Sequence, residues 1–141
     1  MTLAEGLDEY YRANQGRVTR PDDLSQESRD LFRSHDMCHV ILGLDTTLAD
    51  ETMADMRTLI SCDVGFRAYW RYLTTNPDAK ALFEELGYGR AVLATLIAVP
   101  RILRAVLENF RMTQKWPWKP PASYLDRPLS ELRRAHGIRV I

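Results

Sequence analysis

The five residues GLDTT, 43–47, hold both a helix stop and a helix start between two runs of apolar residues. Gly43 ends the first run, because glycine enters the left-handed conformation that closes a helix without a steric penalty. Thr47-Leu48-Ala49-Asp50 fits the capping box, in which a hydroxyl and a carboxylate satisfy the unpaired amides of a helix N-terminus, so a helix is expected to begin at Leu48. A connection this short turns the chain back as an antiparallel helix hairpin.

The same punctuation organises the rest of the chain. A first helix is expected around Leu7 to Ala13, after which Gly16 and Pro21 mark a turn. A second runs from Leu24 or Ser25 to Leu42, with Leu31, Cys38 and Leu42 near one face, and the third is expected to continue from Leu48 to Leu73. Asn76-Pro77 opens a short helix that closes at Gly87, because proline suits the first helical position. The next spans Tyr88 to Phe110, with a kink or break at Pro100, where one backbone donor is missing. WPWKPP, 116–121, must be extended or turned, with tryptophans that pin it to the helices, and a last helix from Pro128 to His136 stops at Gly137. No segment sustains strand alternation. The fold expected is all-α: a single-domain helical bundle covering residues 1–141 around the hairpin.

At 141 residues, 45% of them apolar, the chain is long enough to bury the core of one domain. Nineteen basic residues balance nineteen acidic ones, so no global field favours a polyanion, and nucleic acid is not expected as a partner. Cys38 and Cys62 form no CxxC pair and lie in helical segments, which points to free thiols in a reducing, cytoplasmic compartment. The start, MTLAEGLDEYYRAN, has no basic stretch followed by an apolar core and reads as mature protein. The apolar run Ala91–Val99 ends at Pro100, short of the roughly 20 residues that span a bilayer. It is read as a core helix, with a surface leaning on the inner face of the cell membrane as the alternative.

Two of the three histidines flank the stop. With His35 set at zero on a helical wheel, Asp36 falls at ~100° and His39 at ~40°, so the three share one arc beside Leu31, Phe32, Cys38 and Leu42. Polar groups aimed into apolar surroundings need partners. His39 stands a few residues before the turn and Glu51 a similar count after it, which brings them level across the hairpin. Two imidazoles and two carboxylates converging from paired helices make a divalent-metal set, and the i, i+4 histidine pair is the spacing of zinc helices. Bland readings exist for each: partly buried histidines that find hydrogen bonds, a first-turn glutamate favoured by the helix dipole, and Asp36 paired with Arg33. The aspartate, the capped return and the level glutamate together favour the metal.

His35-Asp36-x-x-His39, eleven residues and Glu51 resemble the signature HDxxH-x(11)-E of the coenzyme Q biosynthesis protein 4 family. The likeness continues through ILGLDTT and resumes in KWPWKPP and PLSELRRAHGI, and the absence of an organelle leader makes the chain similar to bacterial-type members. The resemblance implies an all-helical protein of ubiquinone formation that binds zinc, iron or another divalent ion through His35, Asp36, His39 and Glu51. It also implies an isoprenoid lipid or prenylated quinone precursor as ligand, other quinone-biosynthesis enzymes as partners, and contact with the membrane periphery. The reaction implied is oxidative replacement of the ring C1 carboxylate, a decarboxylase or lyase chemistry in which Asp36 or Glu51 moves a proton. A non-catalytic lipid-binding scaffold is the alternative, and a metal-dependent hydrolase ranks last because aspartate reaches less far than the glutamate of HExxH. Leu93, Leu96, Ile97, Ile102 and Leu103 are candidates for a tail-binding groove beside the histidine helix, or for plain core. A homodimer is expected only as the commonest assembly.

Overall fold

A computed structural model describes the chain except residues 19, 21–23, 25, 78–79, 81–83, 85–86 and 141. Six helices are described: α1 Leu3–Ala13, α2 Gln26–Leu42, α3 Leu48–Ser61, α4 Phe66–Thr75, α5 Tyr88–Asn109 and α6 Leu129–His136, with a 3₁₀ turn at Ala122–Tyr124 before α6. No β-strand is present among the described residues, and the fold is an all-α bundle. The short helix expected between Asn76 and Gly87, like the possible start of the second at Ser25, falls largely on residues outside the described set. No helix among the described residues is long and apolar enough to cross a membrane.

Local capping chemistry sets several of the helix ends. Thr2 and Glu5 close a reciprocal box at α1, whose start at Leu3 lies four residues before the expected Leu7. Gly43, at φ 70°, ends α2 in the left-handed region, and Gly137, at φ 68°, does the same for α6. At α3 the hydroxyl of Thr47 accepts the Asp50 amide at 3.2 Å. The reciprocal half of that expected box is absent: the Asp50 carboxylate instead accepts from the Asp45 amide and pairs with Arg101 on α5 at 2.6 Å. Arg101 is therefore the partner of an acid beside the site.

The third helix does not continue to Leu73. It ends at Ser61, Cys62 turns extended, and α4 starts after Gly65 at φ 75°. The break is held from a distance. The Trp116 amide donates to the Ser61 carbonyl at 2.8 Å, the Asp63 amide donates back to Trp116, and the Trp118 amide donates to the Asp63 carboxylate at 2.7 Å. Trp116 and Trp118 are both buried, so the proline-rich segment is stapled to the core as expected. Cys38 and Cys62 are free thiols with their sulfurs 3.6 Å apart.

Helix α5 runs through Pro100 without a break and packs along α3, the helix that carries Glu51. The plain-core reading of its apolar run holds for one face only. Ala94, Ala98 and Ala105 are buried, whereas Leu93, Leu96, Ile97 and Leu103 are each more than half exposed. Small side chains face inward because they let the helix backbones approach, and the large ones are left outside. Trp70 on α4 is likewise exposed and stacks on Phe66. His136 is the opposite case. Although it ends a helix, it is buried against Trp116 and Tyr124, with Nδ1 facing the Lys115 carbonyl at 3.2 Å.

The C-terminal end of α2 is braced by α6. Arg133 donates from its guanidinium to the carbonyls of Ile41 and Val40 at 2.9 and 2.8 Å, adding to the Gly43 amide that the Val40 carbonyl accepts at 3.3 Å, at the end of a helix where carbonyls lack intrahelical partners. Gly6 of α1 lies against the same end of α2, and a Cβ there would stand 2.8 Å from Val40.

Candidate metal centre

The helix spacing places His35 and His39 one turn apart on α2, and their rings meet edge-on at 4.7 Å between centroids. Glu51, at the start of α3, comes level with them across the turn. One ligand atom from each of His35, His39 and Glu51 lies within 4.8 Å of the other two. This trio, three of the four residues expected from the sequence, could hold a metal ion.

His39 is fully buried, with its Nε2 3.4 Å from the Glu51 carboxylate. Neither of its ring nitrogens makes a hydrogen bond to the protein. Buried nitrogens left this way cost about 1–3 kcal/mol each. A ring so placed, beside a second imidazole and a carboxylate, matches the donor chemistry of zinc or of a first-row transition metal.

Asp36 is placed differently from the other three. Its Oδ2 accepts the hydroxyl of Tyr11, on α1, at 2.8 Å, and it stands outside the trio of converging ligand atoms. Burial raises its carboxyl to about 6, against the opposing pull of His35, of the Tyr11 hydrogen bond and of His39. The tyrosine is shifted too: burial first, and the charge of Asp36 next, push the Tyr11 phenol well up. Tyr10 covers the other side, its ring 5.4 Å from that of His39.

Asp55 is the functional candidate missed by sequence reasoning. Its Oδ1 lies 3.4 Å from Nε2 of His35 and accepts the hydroxyl of Tyr69 from α4. Burial lowers the pKa of His35, but the hydrogen bond and charge of Asp55, with help from Glu51 and Asp36, outweigh it and hold the ring at about 9. The signal was present in the numbering. Asp55 follows Glu51 by four residues as His35 precedes His39 by four, so antiparallel helices that level one pair also level the other.

Comparison with protein-family models, with curated proteins and with solved structures returns no match. The fold is thus an all-α bundle with a candidate metal trio on a helix hairpin.

Proposed function

We propose that the chain is a divalent-metal protein of isoprenoid-quinone formation, acting in the oxidative replacement of a ring carboxylate on a polyprenylated hydroxybenzoate. The observation that carries the reading is His39, buried without a hydrogen-bond partner and converging with His35 and Glu51 at the spacing of the HDxxH-x(11)-E signature. His35, His39 and Glu51 would hold the ion, with Asp36 as the fourth residue of that signature. Bound there, zinc supplies Lewis-acid polarisation of a carboxylate or phenolate, and iron adds redox chemistry.

The chain's own groups account for orientation and proton handling. With water as the oxygen source, exchanging a ring carboxyl for a hydroxyl releases carbon dioxide, two protons and two electrons, and dioxygen is the acceptor proposed. Asp36, at about 6 and hydrogen-bonded to Tyr11, is poised to exchange a proton near neutral pH. Tyr11 also lines a cleft of about 210 Å³ with Leu7, Asp8, Arg20, Arg33 and Leu125. Its volume suits a ring rather than a prenyl chain, and two guanidinium groups suit a carboxylate.

A second reading, a lipid-binding scaffold for other quinone-biosynthesis enzymes at the membrane periphery, is favoured by the exposed leucines and isoleucine of α5, which offer a tail an apolar surface. One experiment separates the two. Protein loaded with zinc or with iron(II) is given prenylated hydroxybenzoate and dioxygen, and the carboxyl-free hydroxylated product is sought by mass spectrometry. Turnover that is lost in His39→Ala supports the enzyme; binding with no turnover under either metal supports the scaffold.

A further inference from the structure

We infer that Asp55, held by Tyr69, is a positioning residue of the cation site that fixes the His35 ring for its role as a ligand; the inference rests on the metal-binding reading above. Two carboxylates of α3 face the two imidazoles of α2, each at 3.4 Å. The pairs are not equivalent. Glu51 converges with both histidines, whereas Asp55 stands outside that trio and meets His35.

An imidazole that binds a cation through one nitrogen keeps a proton on the other. A carboxylate that accepts this proton selects the tautomer, fixes the ring plane and raises the basicity of the coordinating nitrogen. Asp55 occupies that place toward Nε2 of His35. Its own position is set by Tyr69, a phenol only 1% exposed, whose hydroxyl donates to Oδ1 of Asp55. The Tyr69 ring in turn packs edge-on against Trp118 at 5.5 Å, and the Trp118 amide is anchored on Asp63. A continuous series of contacts therefore runs from the stapled loop through Tyr69 and Asp55 to His35. A buried phenol requires an acceptor. Placing that acceptor against a candidate ligand couples the packing of α4 to the geometry of the centre.

Cobalt(II) tests this, because its visible absorption reports ligand geometry while chelator competition reports affinity. The set is wild type, Asp55→Asn, Asp55→Glu, Tyr69→Phe and His39→Ala, with melting of the metal-free proteins measured alongside. Asp55→Asn is expected to bind cobalt about 10–100-fold more weakly, the usual effect of losing such an outer partner, with an altered absorption band. Asp55→Glu should recover part of the affinity, and Tyr69→Phe should lose a smaller part of it. Wild-type affinity and an unchanged band in Asp55→Asn would overturn the inference. Should Asp55→Asn fail to fold, unchanged affinity and band in Tyr69→Phe would overturn it instead. The metal-binding reading fails separately, if wild type takes up no cobalt or if His39→Ala leaves uptake unchanged.

Discussion

Replacing His39 by leucine should strengthen the metal-free protein and remove the gain it draws from metal. The ring is fully buried, with two nitrogens that make no hydrogen bond. Relieving both returns about 4 kcal/mol, taking about 2 kcal/mol for each unsatisfied buried group. Against this stand the Glu51 pair, worth up to about 1 kcal/mol, and the ring contacts to Tyr10 and His35, about 1 kcal/mol each. The balance is near 1 kcal/mol in favour of leucine, or roughly 4 °C in melting temperature for a chain of this size. Zinc reverses the order. At a free concentration a hundredfold above Kd it stabilises the wild type by about 2.7 kcal/mol and does nothing for a variant that cannot bind it. Urea unfolding followed by circular dichroism, with chelator and then with zinc, gives both differences. A loss of about 3 kcal/mol or more for His39→Leu in chelator, or no response of the wild type to zinc, would refute the reasoning.

In chelator, the His35 proton should stabilise the fold on the acid side. Its pKa rises from 6.5 to about 9, so the contribution is fully present below 6.5 and is lost as pH climbs toward 9. The total is about 3 kcal/mol, and Asp55→Asn should flatten that slope in pH-resolved urea titrations. Trp116→Ala should cost about 3–5 kcal/mol by the same unfolding assay, since the side chain is fully buried against Tyr124 and His136. On α5, Leu96→Ser and Ile97→Ser should each shift stability by no more than about 0.5 kcal/mol. Ala98→Leu on its buried face should cost about 1–3 kcal/mol.

The parts of this fold that are legible in sequence are those decided within a few residues. Gly43 and Gly137 supply the positive φ that ends their helices, and the hydroxyl of Thr47 caps the one that follows the turn. Short-range chemistry of this kind made the hairpin, and with it the pairing of His39 with Glu51, readable from spacing. The break after Ser61 was not, because Cys62 is drawn into extended backbone by Trp116, over fifty residues further on. Gly65 was the local sign of it. Helix α5 shows a different limit: an apolar run declares a helix without saying which side faces in, and here Ala94, Ala98 and Ala105 mark the inner face. Asp36 lies on the predicted arc, yet Tyr11 of α1 takes its carboxylate, a contact between helices that no wheel drawn on one helix contains.

The Arg133 clamp has a consequence for the order in which the molecule is made. The carbonyls it holds belong to Val40 and Ile41, immediately after His39, while the clamp itself lies more than ninety residues downstream. A ribosome must therefore add more than ninety residues beyond His39 before the end of that ligand-bearing helix acquires this brace. A peptide cut to the hairpin alone would carry every residue of the trio and still lack the tie that holds the last turn of its first helix.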